Sequence, residues 1–389
     1  MGEALTDRRT FMSKLGTFLT GVKVLDLSQY IPGPMASLFL ADMGAEVIKI
    51  EPPDGDQMRH LGPRDASGEP VFYRALNAGK AVRRMNLKDE DARSELLAMV
   101  RGADVLIEGF RPGAMARLGL DHATLHALNP RLVYCSISGY GASGSLAQQA
   151  AHDANFLATS GMLDRNGTDA PLFFDPPVSD TSGALFAALA IVGALHGRGQ
   201  DGAGCHIDLG LADVTHPLQL MQVAGWGATG QSPGRGEYYL NGGAAYYRTY
   251  ATSDGRHVVL GAIEPKFWRN FCAAAGRPEW IARQPEPMPQ AALGADIAAF
   301  FAGLTLAEAT ARFEAVDCCW SPVLGLGEAL AQPQLGERGL VRRGGTAGDL
   351  QALFPVVIDG VAPDIRPPMQ MAGQTAAPGP TTHNQSVKS

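Results

Sequence analysis

Cysteine is scarce and unpatterned in this chain. Cys135, Cys205, Cys272, Cys318 and Cys319 are an odd, scattered set with no Cys-X-X-Cys pair. That argues against a disulfide framework and a zinc site of the usual spacing, and no metal is expected. Positive charge is also in deficit: the formal net charge is −7. An acidic chain is a poor match for nucleic acid or an anionic membrane as main partner. A local basic pocket for an anionic ligand is still allowed. No apolar run is expected to be long enough to span a bilayer. The twin arginine of "DRRTFMSK" is not followed by a long apolar region before "VKVLDL", which reads as a strand. "MGEALT" fits the loose myristoylation pattern, which is common by chance. Both are discounted, and a cytoplasmic location is expected.

What is present is the make-up of a soluble globular protein, with 46% hydrophobic and 18% charged residues. A chain of 389 residues is too long for one simple core, so two domains are expected. From residue 22 strands and helices alternate. "VKVLDL", "AEVIKIE", "ADVLIEGF" and "RLVYCSISGYG" read as strands. "GPMASLFLADMG", "DEDARSELLAMVRG" and "PGAMARLGL" read as helices. Such alternation with short loops gives a mostly parallel sheet covered by helices, an α/β fold. "SDTSGALFAALAIVGALHGR" (179–198) is apolar on nearly every side and should be a buried helix. The pattern then changes. "YYRTYATSDGRHVVLGAI" (246–263) reads as a hairpin, and Pro265 starts the next helix. That is a smaller α+β domain. "RQPEPMPQ" is a loop inside it. "LFPVVID" is a late strand candidate, and the tail from Pro367 is polar and low in structure.

"GYGASG" (139–144) fits Gly-X-Gly-X-X-Gly after a strand. A dinucleotide site also needs a following helix, a second strand and an acidic residue, and "MLDRNGTDA" is turn chemistry instead. Basic residues gather in the first third of the chain: Arg59, Lys80, Arg83, Arg84, Lys88, Arg111 and Arg117. Any one of them is most simply a solvated side chain. As a set near strand ends they suit an anionic ligand with several phosphates. His152 and Asp153 form a titratable pair in the apolar stretch "AHDANFLATSG", and taken alone His152 is most simply structural. Asp180 and Glu264 stand at helix starts, where capping is the plain explanation. Asp180 also has the opposing influences of helix dipole and burial that can set a working pKa.

Together these pieces resemble the class III coenzyme A transferases (CaiB/BaiF family), and within them the α-methylacyl-CoA racemases, over about residues 21 to 345. The resemblance is carried by "GVKVLDLSQYIPGPMASLFLADMGAEVIKIEPPDGDQMR", "IEGFRPGAMARLGL", "HDANF", "SDTSGALFAA" and "DGRHVVLGAIEPKFW". It implies a Rossmann-like large domain built from both chain ends (21–225 and 335–389), with an N-terminal extension (1–20). It also implies a small α+β domain (226–334) and two chains threaded as an interlocked homodimer. By resemblance, His152 and Asp180 are the catalytic acid/base pair and Glu264 supports the histidine. Contacts to coenzyme A are implied for Arg59, Lys80, Met85, Asn86, Leu87, Lys88, Gly109, Phe110, Arg111, Arg117, Asp153 and Asn155. The partner is an acyl-CoA thioester; no separate cofactor, nucleic acid or membrane is expected. The chain departs from the family in "AGKAVRRMNLK", in Pro52 and in its C-terminal "GPTTHNQSVKS".

The implied chemistry fits the residue types. Inverting a stereocentre beside a thioester carbonyl removes a proton from one face and returns one to the other, so two opposed acid/base groups are needed. The enolate between needs donors placed in advance, and the N–H groups that start the Asp180 helix are candidates. In a true coenzyme A transferase Asp180 would instead be a nucleophile, and the histidine would not be required. A non-catalytic acyl-CoA binder would keep the basic contacts without needing His152, Asp180 and Glu264 together.

Overall fold

The computed structural model describes residues 13–371, apart from 168, 346 and 347. The twin arginine, the N-terminal glycine pattern and "GPTTHNQSVKS" lie outside the described residues. Contacts divide the chain into two units. The first comprises the described residues up to Ala150, Asp180–Val214 and the described residues from Pro333. The second comprises Ala151–Ser179 and Thr215–Gln332.

The first unit is built on seven parallel strands. Six of them are β1 (Lys23–Asp26), β2 (Glu46–Glu51), β3 (Ala81–Arg84), β4 (Val105–Glu108), β5 (Val133–Ser138) and β6 (His206–Gly210). The order is β3-β2-β1-β4-β5-β6, and the short Gln370–Met371 strand adds outside β3, so both chain ends contribute. The central strands read as mostly apolar runs, as expected for parallel strands covered on both faces, although β2 carries a buried Lys49. All four residues of β4 are buried, and Val24 pairs with Val47 on one side and Val105 on the other. Leu25, Leu106, Leu96, Val100, Leu125 and Leu132 form one continuous core between this sheet and its helices. Ser13 to Thr20, expected as an extension, is part of this fold. Leu15 and Leu19 are buried, and the Leu19 N–H donates to the Met43 carbonyl at 2.8 Å.

Three strands carry too little apolar pattern to be expected from the sequence. In β3 only Val82 is buried while Arg83 and Arg84 face solvent, and β6 is a polar edge strand opened by an exposed His206. Gln370–Met371 is too short to show a pattern. "LFPVVID" is not a strand. Its Pro355 has no N–H for a ladder, and the local pairing is an antiparallel hairpin upstream, Val341–Gly344 with Asp349–Ala352. The helix Val178–Asp201 corrects two further expectations. By length and composition its Val178–Gln200 stretch is apolar enough to cross a membrane, contrary to expectation. It is also not buried all round. Ala184, Ala187, Ala188 and Ile191 are buried, but Leu185 is 53% and Leu189 68% exposed. Its C-terminal turn is tied to the sheet unit by Arg198, which pairs with Asp104 at 2.7 Å.

The second unit contains the expected hairpin, β7 (Tyr247–Ala251) and β8 (His257–Gly261), in antiparallel register. A third strand, β9 (Trp320–Pro322), was not expected; it has three residues and ends in proline at a sheet edge. Helix Pro265–Ala275 packs Trp268 and Phe271 against Phe301 and Phe313, with the Phe271 and Phe313 rings 5.3 Å apart. The unit begins earlier than expected and also takes in residues 151–179. Hydrogen bonds explain this: Gln219 Nε2 donates to the Ser160 carbonyl at 3.1 Å, and Arg235 pairs with Asp164 at 2.6 Å.

The C-terminal return of the chain is held by a nearly buried ion pair. Arg366 donates from Nε and Nη2 to both Asp42 oxygens at 2.6 and 2.7 Å, and from Nη1 to the Ala352 carbonyl at 2.8 Å. Removing one partner leaves the other charge buried. Arg366→Ala should therefore destabilise the fold by about 3–5 kcal/mol, read as the shift in urea unfolding midpoint. A shift under about 1 kcal/mol would mean that the pair adds nothing to holding this end.

Candidate functional site

Because the strands of the large sheet are parallel, their C-terminal ends share one edge. The order in which strands are added reverses between β1 and β4: β2 and β3 lie to one side, β5 and β6 to the other. A crevice at such a switch point is where open α/β sheets bind ligands. Two loops meet there. Gly109, just after β4, lies close to Ser28, just after β1; a Cβ at 109 would sit 3.5 Å from the Ser28 Cβ. Gly33, at the start of helix Pro32–Asp42, is so close to Ser28 that any Cβ would overlap its hydroxyl. Tyr30, in the same loop, is 44% exposed and has a left-handed backbone with φ of 64°.

Beneath this edge is a cluster of buried charges. Asp26, at the end of β1, accepts hydrogen bonds from the Ser28 N–H and hydroxyl, from the Ser37 hydroxyl at 2.5 Å and from Lys80 Nζ at 3.3 Å. Lys49 donates to the Ser28 carbonyl at 2.8 Å and pairs with Asp56 at 2.9 Å. Asp56 in turn accepts from the N–H groups of Met58 and Tyr30 at 2.9 and 3.3 Å. Glu51 pairs with Arg59 at 2.9 Å and accepts from the Tyr73 hydroxyl. Burial pushes the Asp26 carboxyl upward, but Lys49, Lys80 and the two serines outweigh it and hold it at about 2. Burial lowers the Lys80 ammonium to about 7, against the pull of Asp26.

Two of the residues expected to meet coenzyme A belong to this cluster. Lys80 is buried, and its ammonium is surrounded by the Pro34 carbonyl at 2.7 Å, Asn77 Oδ1 at 3.0 Å and Asp26. Three donors and three protein acceptors leave nothing for a phosphate, so Lys80 is a core residue, contrary to expectation. Arg59 is half-buried, tied to Glu51 and lying 3.9 Å over the Tyr73 ring. Met85 is likewise a core side chain at 5% exposure, with Leu87 packed beside it. Asn86 Oδ1 accepts from the Lys88 N–H at 3.3 Å and shapes the turn after β3.

Lys88, Gly109, Arg111 and Arg117 are exposed along the C-terminal edge, and Phe110 is half-buried. Among the described residues Lys88, Arg111 and Arg117 form no ion pair, so their charges are available to an anion. The Phe110 N–H donates to Glu108 Oε2 at 2.8 Å, which folds the Gly109–Phe110 turn. Burial raises the Glu108 carboxyl, with the Ser136 hydroxyl and the Phe110 N–H opposing. Gly113 caps the helix Ala114–Arg117 with φ of 85°, a conformation glycine adopts without strain.

The proton-transfer candidates are divided between the units. Asp180 belongs to the first and stands half-buried in the first turn of Val178–Asp201. His152 and Glu264 belong to the second. His152 is exposed and is the N-cap of helix Asp153–Thr159; Asn155 Oδ1 accepts its backbone N–H at 3.0 Å. That bond gives Asn155 a bracing role. Asp153 is half-buried in the first turn of the same helix. Glu264 is exposed at the N-cap of Pro265–Ala275, but its side chain makes no capping hydrogen bond. Among the described residues no hydrogen bond or ion pair joins Glu264 to His152.

The chain matches the model of CoA-transferase family III over residues 19–376. It belongs to that family. It is 33% identical over 330 residues to an "Alpha-methylacyl-CoA racemase" of Homo sapiens, covering 82% of this chain and 81% of that one. It is 40% identical over 224 residues to an "Acetyl-CoA:oxalate CoA-transferase" of Acetobacter aceti. That match covers 55% of this chain, and the chain spans about half the transferase's length, 56%. A CaiB/BaiF family protein from Brucella suis superposes with a TM-score of 0.79 at 28% identity, covering 91% of this chain and 96% of the other. The family thus includes both racemases and transferases among the relatives of this chain.

Asp26, Ser28, Lys49 and Asp56 were not among the expected site residues. A signal is present in the sequence for two of them: Asp26 ends the otherwise apolar β1, and Lys49 interrupts the apolar pattern of β2. The pH dependence of stability should report the cluster. The Asp26 pKa is lower in the folded than in the unfolded chain, so its contribution is present above about 4 and is lost as pH falls toward 2. Asp26→Asn should lower stability at pH 7 and flatten the fall in urea midpoint between pH 4 and 2. An identical slope in the variant would remove Asp26 from the account.

Proposed function

We propose that this protein racemises 2-methylacyl-CoA thioesters by proton transfer through an enolate, with His152 and Asp180 as the acid/base pair. The observation that carries the reading is His152 itself. A transferase needs the aspartate but not a histidine. Here the histidine is exposed at the head of a helix, on backbone braced by Asn155. The similarity to a named racemase over 82% of the chain supports the same reading. The second reading, a coenzyme A transferase with Asp180 as nucleophile, is favoured by the 40% identity to the oxalate transferase over its shorter span.

The coenzyme A moiety lies along the C-terminal edge of the large sheet, its phosphates met by Lys88, Arg111 and Arg117. No further cofactor is required, because the thioester itself acidifies the α-proton. One of the pair starts as base and the other as acid, with roles exchanged for the opposite enantiomer. Asp180 is favoured as an anion by the N–H groups of its helix start, which also supply donors for the enolate oxygen. Glu264, whose side chain makes no capping hydrogen bond, is the residue assigned to support His152 in this reading.

α-Proton exchange from a 2-methylacyl-CoA in heavy water, with no acceptor acid present, tests this directly. Wild-type protein should exchange. His152→Ala and Asp180→Ala should each lose about 10²–10⁴-fold in rate while binding the thioester normally. Glu264→Gln should lose less. Arg111→Ala should instead weaken binding by about 1.5–3 kcal/mol. Near-normal exchange by His152→Ala, or exchange only when an acceptor acid is added, would leave the transferase reading.

A homodimer belongs to the same proposal. The helix Leu220–Thr229 has no buried residue, and its Leu220, Met221, Val223 and Trp226 are 53–70% exposed. Leu185 and Leu189 of Val178–Asp201 form a second uncovered apolar stripe. Apolar patches of this kind mark association surfaces. Light scattering should give twice the chain mass at low micromolar concentration; a folded species of single-chain mass would refute the dimer.

A further inference from the structure

Glu108 is the last residue of β4 and is only 6% exposed. A carboxylate in that position is costly unless donors meet it. They come from two directions. In front, Oε2 accepts the Phe110 N–H at 2.8 Å. Behind, the Ser136 hydroxyl of β5, in register with Glu108 across the sheet, hydrogen-bonds to the same carboxylate. Ser136 Oγ also lies 3.0 Å from Nε2 of His206, which opens β6. An ionised carboxylate only accepts, and a hydroxyl has one proton to give. Ser136 therefore gives its proton to Glu108, and its oxygen accepts from His206 Nε2–H. Polar contacts run in one line from an exposed imidazole to the backbone of the turn that carries Phe110 and Arg111.

The turn is confined from its other side as well. A Cβ at Gly109 would sit 3.5 Å from the Ser28 Cβ and 3.8 Å from the Ile137 carbonyl oxygen. The Arg111 carbonyl accepts the Ala114 N–H at 3.0 Å, which leads into the helix Ala114–Arg117. The place from which the Arg111 side chain starts is thus set by backbone that Glu108 holds at Phe110.

The titratable groups around Glu108 act in opposite senses. Burial raises its carboxyl, the Ser136 hydroxyl and the Phe110 N–H oppose, and Asp208 of β6 adds to the rise. Tyr134 and Cys135 are kept protonated by burial. His206 stacks at 4.9 Å on His122 of the helix His122–Leu128, with His126 5.2 Å beyond. Burial, then His206 and His126, lower the His122 pKa against the pull of Asp121, which disfavours a charge on that ring.

We infer that Glu108 is the positioning residue of the coenzyme A turn, and that Ser136 holds its carboxylate in the accepting form. The ligand rests on the acyl-CoA reading above; the hold on Phe110 does not. As pH falls Glu108 takes up a proton, its grip on the Phe110 N–H weakens, and the turn loosens. Without the Ser136 donor that uptake comes at higher pH.

The experiment joins calorimetric titration with coenzyme A at neutral pH to amide exchange of the 109–113 segment in the free protein. Both are run on wild type, Glu108→Gln, Glu108→Ala and Ser136→Ala. Charge and position predict opposite signs. Removing a carboxylate beside a phosphate ligand tightens binding by charge alone, whereas a released turn weakens it. Glu108→Ala should bind coenzyme A about tenfold more weakly, the loss of one charge-assisted hydrogen bond. Glu108→Gln removes the same charge but keeps an acceptor for the Phe110 N–H, so it should stay within about threefold of wild type. Exchange should rise in Glu108→Ala but not in Glu108→Gln, and only in the turn, with β4 still protected. Corrected for intrinsic exchange, the wild-type turn should lose protection on acidification. Ser136→Ala should lose it at higher pH, and Glu108→Gln should show no such step. Unchanged or tighter coenzyme A binding by Glu108→Ala would overturn the inference, as would an equal loss in the alanine and glutamine variants. A step at the same pH in Ser136→Ala and wild type would overturn the part assigned to Ser136. If wild type binds no coenzyme A, the acyl-CoA reading fails, and the exchange pattern decides the positioning role by itself.

Discussion

The candidate site depends on a buried exchange of charge at the end of the central strand β1. Asp26 is held ionised by Lys49 and Lys80, and Lys49 is held by Asp56. These partners come from β1, from β2 and the loop after it, and from the start of β3. Together they fix the loop Ser28–Ile31 that faces Gly109 across the switch point. A buried cluster of this kind is poor evidence for stability as such, since apolar side chains of equal volume often do better. What it provides here is position. Each carboxylate accepts backbone N–H groups as well as cations, so the loops cannot shift without leaving a charge unpaired. Tyr30, with its left-handed backbone, is kept in place by an N–H donated to Asp56.

The cluster also separates two kinds of basic residue that look alike in a sequence. Lys80 and Arg59 are consumed by the protein, while Lys88, Arg111 and Arg117 remain open to solvent on the same edge. Only the second group can release its charge to a phosphate without breaking the fold. The residues proposed for proton transfer follow another division, with Asp180 on the sheet unit and His152, together with its proposed support Glu264, on the second unit.

Much of this architecture is legible in the amino-acid sequence. The central strands declare themselves because parallel strands covered on both faces are continuous apolar runs, as Val105–Glu108 is. The hairpin at Tyr247–Gly261 is visible through its Ser253-Asp254-Gly255 turn. His152, Asp180 and Glu264 can be picked out by the series of motifs that carries them; locally His152 and Glu264 are N-caps, and Asp180, expected at a helix start, lies in the first turn of a helix that begins two residues earlier. The strands β3 and β6 are hidden, since exposed Arg83, Arg84 and His206 erase the apolar signal. The fate of Lys80 is hidden for a different reason: whether a lysine faces solvent or a buried aspartate is decided by residues about fifty positions away. The assignment of 151–179 to the second unit is equally invisible, because it rests on hydrogen bonds such as Gln219 to Ser160 that no local pattern encodes.

The central claim is that Asp180 moves protons and does not form a bond to the acyl group. Incubation with a 2-methylacyl-CoA followed by rapid acid quench and intact-mass measurement addresses it in one step. The account predicts a chain of unmodified mass at every time point, while the thioester loses its stereochemical purity. A chain heavier by coenzyme A, with the added mass mapped by peptide sequencing to Asp180, would contradict it.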